Sequence, residues 1–220
     1  MTKLKGILLT EGMHGMISQV EGLAKALDIN YSHHTVETKG FWKVIPPKFT
    51  PISDSVFKKI ECEDVDLIIS CGRKSIIPSL FLKKNSKKKV FNIHIQNPKI
   101  KLDNFDLVVV PEHDNLDGHN VLKTKGAIHY LTSEEIEKDK EYLFSISSKL
   151  RDKNIISLII GGPTQYYDYS DRNIQEIFSK VNYLVKENNL NLVVIPSMRT
   201  PKGTIEHAKI YFGNDHLVLD

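Results

Sequence analysis

The chain has 220 residues, 30 Lys+Arg against 27 Asp+Glu, a net charge of +3 and 40% hydrophobic residues. That composition supports a buried core and excludes a disordered chain, and the near-neutral balance argues against a surface built for nucleic acid. No apolar run approaches the ~20 residues that span a bilayer, no signal or transit pattern opens the chain, and the two cysteines, Cys62 and Cys71, suit neither a disulfide framework nor a zinc site, so a cytoplasmic protein is expected.

Short apolar runs alternate with amphipathic stretches. Gly6–Thr10 predicts a first strand, followed by a helix over Gly15–Leu27 with Ile17, Val20, Leu23, Ala24 and Leu27 at helical spacing. Asp66–Ser70 predicts a second strand and Ser75–Lys84 a helix, with Pro78 near its first turn, where proline is tolerated. Val90–Ile95, Asp106–Val110 and Val121–Thr124 continue the strand series. A polar helix over Ser133–Arg151 follows, then a strand at Ile155–Ile160, a helix at Asp171–Asn189, and strands at Leu192–Ile195 and His216–Leu219. Strands separated by helices indicate a parallel sheet covered on both faces. The expectation is an α/β protein with two Rossmann-like, doubly wound domains. The first spans 1–132, a connecting helix spans 133–153, and the second begins at 154 and is incomplete, with three strands.

In such sheets ligands bind beyond the carboxyl ends of the strands. The residues there are Glu11-Gly12-Met13-His14-Gly15, Gly72-Arg73-Lys74-Ser75, Gln96-Asn97-Pro98 and Glu112-His113-Asp114, and in the second domain Gly161-Gly162-Pro163-Thr164 and Ser197-Met198-Arg199-Thr200. Gly12, Gly15, Gly161 and Gly162 serve either a tight turn or the close approach of a ligand to exposed N–H groups. Only four arginines occur, Arg73, Arg151, Arg172 and Arg199. Arg73 and Lys74 stand where a helix begins, against its dipole, a conflict that a bound anion relieves. Arg199 is placed to share that anion or to lie in solvent. His113, between Glu112 and Asp114, and His14 are the acid–base candidates; His94, inside a strand, reads as a core histidine.

The chain has no G-x-G-x-x-G, no G-x-x-x-x-G-K-[ST], no H-E-x-x-H and no G-x-S-x-G motif, so dinucleotide, P-loop, zinc-protease and serine-hydrolase chemistry lack support. No metal and no cofactor is expected. The lysines Lys83, Lys84, Lys87, Lys88 and Lys89 read as a solvated helix end or as a contact with anionic lipid.

The segments LTEGMHGMISQVEGLAKAL, DLIISCGRKSIIPSLFLKK, FNIHIQNP, FDLVVVPEHD, NVLKTKGAIH, LIIGGPTQYY and SMRTP run in order from Leu9 to Pro201. In them the chain resembles the mitochondrial-fission ELM family of plants and bacteria. The resemblance implies a GT-B glycosyltransferase-like protein. Two Rossmann-like domains would face a cleft without a metal, with a nucleotide-sugar held mainly by the second domain. The plant member's link to mitochondrial division does not require enzyme activity. Two departures stand out. Met198-Arg199 replaces the pair of basic residues usual in the last motif. The family's second domain also continues beyond residue 220, which implies a fragment or a truncated protein.

Two functions follow. One is glycosyl transfer from a nucleotide-sugar, or another phosphate-bearing small molecule, to a cell-envelope acceptor. In it Gly161, Gly162 and Thr164 approach the diphosphate, Arg73 and Arg199 balance its charge, and His113 or Glu112 takes the acceptor proton. The other is a non-catalytic scaffold on a membrane surface, peripheral on the inner membrane.

Overall fold

The computed structural model describes residues 3–61, 64–167 and 169–220; Cys62 lies outside them. The chain divides into two compact units, residues 1–132 and 133–220, each built on its own parallel sheet.

The first unit runs β1 (Lys5–Thr10), α1 (His14–Ala26), β2 (Asn30–Thr35), β3 (Leu67–Cys71), α2 (Ile76–Asn85), β4 (Phe91–Ile95), β5 (Leu107–Pro111) and β6 (Val121–Thr124). The sheet order is β2-β1-β3-β4-β5-β6, parallel throughout. Its central strands are mostly apolar because both faces are covered, with Ser70, Asn92 and His94 as buried polar exceptions. Ile7 and Leu9 enter a core with Ile68, Val108 and the α2 residues Ile76, Ile77 and Leu80. Leu8 points the other way, to Ile69, Ile93 and the α1 residues Val20 and Ala24. From β1 the chain turns to β2 on one side and then crosses to β3 on the other, so the β1/β3 junction is the topological switch point.

β2 is an addition to the predicted elements. Its sequence, NYSHHT, is polar because it is an edge strand, yet it pairs residue for residue with β1 from Lys5↔Asn30 to Thr10↔Thr35. Between β2 and β3 there is no α-helix. Three short 3-10 turns, Gly40–Lys43, Pro47–Phe49 and Asp54–Val56, cover the α2-side face, and Val56 and Phe57 enter its core. Pro46, Pro47 and Pro51 deny this stretch a longer helix.

The second unit runs α3 (Ser133–Ile146), β7 (Ile155–Ile160), α4 (Asp171–Glu187), β8 (Asn191–Pro196), α5 (Lys202–Phe212) and β9 (Leu217–Val218), with the sheet in the order β7-β8-β9. The Ser170 hydroxyl accepts the Asn173 N–H and caps α4. The α4 stripe Ile174, Phe178, Val181 and Val185 lies on Ile156, Leu158, Ile160, Leu192 and Val194, and Ala208 and Phe212 of α5 complete this core. Because the strand order never reverses, crossovers of one hand place α4 and α5 on the same face. The predicted helix over Ser133–Arg151 ends at Ile146, and a 3-10 turn, Ser148–Arg151, follows it and buries Leu150. Among the described residues no helix is long and apolar enough to cross a membrane.

Candidate functional site

The parallel register sends the ends of β1, β3, β4 and β5 to one edge, through the pairs Leu9↔Ser70, Cys71↔Ile95 and Ile95↔Val109. The loops at 11–15, 72–75, 96–98 and 112–114 therefore share that edge. At the switch point Glu11 meets Lys74. Glu11 Oε1 accepts the Lys74 backbone N–H at 3.0 Å, and Oε2 pairs with Lys74 Nζ at 3.1 Å. The anion expected at the start of this helix is thus supplied from within the chain. No motif assigns Glu11 a role of its own, because its partner Lys74 is brought to it only by the pairing of β1 with β3. Gly72 has φ +94°, and a Cβ there would meet Met16 Sδ at 2.7 Å and Glu11 Oε1 at 3.0 Å. The residue must be glycine for the turn and for the Glu11 seat alike. Ser75 is buried and its hydroxyl donates to Gly72 O at 2.7 Å, which makes it a turn brace.

Arg73 is exposed and its Nη2 donates to Lys43 O at 2.9 Å, so it ties the segment after β2 to the start of α2. Beside the switch point, Gly12 (φ +83°) donates its N–H to Thr10 Oγ1, which also pairs with His33 Nε2 at 2.9 Å. His14 and Gly15 open α1. Both are exposed, no side chain caps the helix, no acidic residue sits in its first turn, and the space a Gly15 side chain would fill is empty.

The remaining candidates of this unit stand farther along the edge. Gln96 closes β4 with φ +88°, and Asn97 Oδ1 accepts the Lys99 N–H. Glu112 and His113 lie on an exposed 3-10 turn after β5, with His113 Nε2 3.8 Å from Asp114 Oδ1. β5 is two strands from β3, a lateral offset of ~10 Å at the usual strand spacing. His94 is buried in β4, paired with Ser70 Oγ at 2.9 Å and stacked on Phe105; burial holds its imidazole down at about 3. The Cys71 thiol is pushed up to about 12 by burial and then by the Glu11 charge, which makes it a poor nucleophile.

In the second unit the loops after β7 and β8 interlock. A Cβ on Gly162 would lie 2.2 Å from Arg199 O. Thr200 is buried; its Oγ1 lies 2.7 Å from Ile160 O and 3.0 Å from Gly161 O, and it accepts the Ser197 N–H. Ser197 Oγ accepts the Arg199 N–H. Thr200 and Ser197 are therefore spent on holding the loop. Gly161 has open space before it, and Arg199 is exposed one turn before α5, whose start has no side-chain cap and no acidic residue. Thr164 forms a small turn with Tyr167, its Oγ1 accepting the Tyr166 N–H. Of the lysine run at the end of α2, Lys83 pairs with Asp106 and Lys88 with Asp66, each at 2.7 Å. Among the described residues no three acidic, histidine or cysteine side chains gather as metal ligands.

The family described as Mitochondrial fission ELM1 matches residues 14–218. The chain belongs to that family. It is 35% identical to the mitochondrial fission protein ELM1 of Arabidopsis thaliana over 48 residues, a match that covers 22% of this chain and 11% of that relative. Among solved structures it is similar to UDP-N-acetylglucosamine 2-epimerase from Rickettsia bellii. That likeness has a TM-score of 0.49 at 13% identity and covers 100% of this chain and 69% of the other.

Proposed function

We propose that this ELM1-family chain binds a nucleotide-sugar and takes part in glycosyl transfer without a metal, in the manner of a GT-B-type glycosyltransferase. The observation that carries the reading is the interlocked loop pair of the second unit. Gly161 leaves its approach open, the Gly162–Arg199 contact fixes the backbone, and Arg199 stands exposed beside the uncapped start of α5. Exposed N–H groups, a helix dipole and a guanidinium fork together suit a diphosphate.

The loop edge of the first unit carries the acid–base candidates. His14 opens α1 beside the switch point, and His113 and Glu112 stand farther along the same edge, each a candidate base for a hydroxyl bound there. Glycosyl transfer passes the acceptor hydroxyl proton to a base, joins that oxygen to the anomeric carbon, and releases the nucleoside diphosphate with the bonding electron pair. Arg199 neutralises the charge that builds on the leaving group.

Thermal shift with nucleoside diphosphates and nucleotide-sugars tests the reading, with chelator present throughout. A ligand at 100 times its Kd stabilises by about 2.7 kcal/mol, a shift of several degrees for a protein of this size. The shift should disappear in Arg199→Ala and be much reduced in Arg199→Lys, which keeps the charge but not the fork. Arg73→Ala should keep a shift and lose about 1 kcal/mol of basal stability with its bond to Lys43 O. No shift in the wild type, or an equal shift in Arg199→Ala, would reject the donor site and favour a non-catalytic scaffold.

A further inference from the structure

The stretch from Thr38 to Ser53 contains Lys39, Lys43 and Lys48 and no acidic residue. It also carries the most exposed of the large apolar side chains described in the first unit: Phe41 is 64% exposed, Val44 73% and Phe49 70%. These side chains are not loose. The Lys39 N–H donates to Val56 O at 2.7 Å, Arg73 holds Lys43 O at 2.9 Å, and Trp42, its ring centre 4.2 Å from that of Phe41 and tilted by 33°, packs partly onto the α2-side core. The fold thus holds an apolar and cationic protrusion in place, against the cost of hydrating it. Directly beside it runs a groove of about 560 Å³, with Ile52, Ile77 and Leu80 along its floor and Lys48, Lys99 and Lys101 on its rim. Among the described residues no carboxylate lines that groove.

We infer that this face docks on an anionic lipid bilayer, with Phe41, Val44 and Phe49 entering the acyl boundary and Lys43, Lys48, Lys99 and Lys101 meeting phosphate headgroups. The charge complementarity decides the occupant. Protein interfaces are depleted of lysine at their centres, whereas a bilayer interface favours aromatic and aliphatic tips set among lysines whose stems are apolar. The groove beside the tips accepts a lipid chain while its rim holds the phosphate. The lysine run at the end of α2 is the weaker membrane candidate. Two of its lysines are neutralised by Asp66 and Asp106, and it lies at the C-terminal end of α2, at the opposite edge of the sheet from the strand ends that carry the loops. This inference does not depend on glycosyl transfer, since vesicle binding and nucleotide binding are read separately.

Trp42 is the only tryptophan, so its emission reports on this face alone. The full chain is titrated with vesicles of phosphatidylcholine, with and without phosphatidylglycerol, and co-sedimentation is measured in parallel. The expected result is a blue shift and sedimentation with the anionic vesicles, weakened by salt, and little of either with neutral ones. Phe41→Ser/Val44→Ser/Phe49→Ser should lower partitioning about tenfold or more, with an unchanged circular dichroism melt because all three side chains are exposed. Lys48→Gln/Lys99→Gln/Lys101→Gln should lose the preference for anionic lipid. Lys84→Gln/Lys87→Gln/Lys89→Gln should bind as the wild type does. The inference is overturned if the wild type ignores anionic vesicles, if the triple serine variant binds undiminished, or if the Lys84/Lys87/Lys89 variant is the one that fails. Lipid-free dimerisation that the serine variant abolishes would equally overturn it, by assigning the face to a protein contact.

Discussion

At the scale of single residues, the chain spends its polar side chains on fixing loops more than its composition suggests. Ser75, Thr200 and Ser197 all follow strands and all read as ligand contacts in one dimension, yet their hydroxyls bind backbone a few residues away or on the neighbouring loop. Glu11 shows the reverse, a site residue without a motif. His94 has a measurable consequence. Its imidazole, ordinarily at 6.5, is held at about 3 by burial. Between those values the unfolded chain binds a proton that the native chain refuses, so stability rises with pH and is lost as the pH falls from 6.5 toward 3. The slope can reach about 1.4 kcal/mol per pH unit for one such group. His33 and His216, also lowered by burial, add in the same direction. Urea melts from pH 7 to 4 should show this slope, and His94→Phe should flatten it. An equal slope in the variant would place the acid sensitivity elsewhere.

At the scale of elements, the buried strands were legible and the edges were not. β1, β3 and β5 announce themselves as short apolar runs because each is covered on two faces, and β4 keeps Phe91, Ile93 and Ile95 around the buried Asn92 and His94. β2 is half solvated, so NYSHHT carries neither a run nor an alternation. Overlooking β2 hides the strand order, and with it the β1/β3 switch point and the Glu11–Lys74 pair. α5 escapes for a related reason: it buries only Ala208 and Phe212 and starts after a proline without a capping side chain. The loop that leads into α5 is pinned by Thr200, whose hydroxyl answers Ile160 O, Gly161 O and the Ser197 N–H. Thr200→Val keeps the shape and removes those partners, so it should cost about 1–3 kcal/mol in a denaturant melt. It should also weaken any nucleotide-induced shift that depends on Arg199. A Thr200→Val protein as stable as the wild type would show that the loop is held by packing alone.

At the scale of the whole molecule, the two units differ in how completely they cover their sheets. The first has a core on each face of six strands; the second has one core, on the α4/α5 side of three strands. β7 stands at the edge of that second sheet with the sequence IISLII, and Ile159 is 74% exposed. Natural edge strands are usually protected by charge, proline or a bulge, and an apolar edge without them templates association. The smaller core should also melt first, because a small unit buries a lower fraction of its surface. On heating the full chain, two transitions are therefore expected, the first accompanied by light scattering. Ile159→Lys puts a charge on the open face without touching the core around Ile156, Leu158 and Ile160, so both midpoints should stay in place while the scattering falls. A single transition would show that the unequal cores do not melt separately, and undiminished scattering in Ile159→Lys would show that β7 is not the surface through which the chain aggregates.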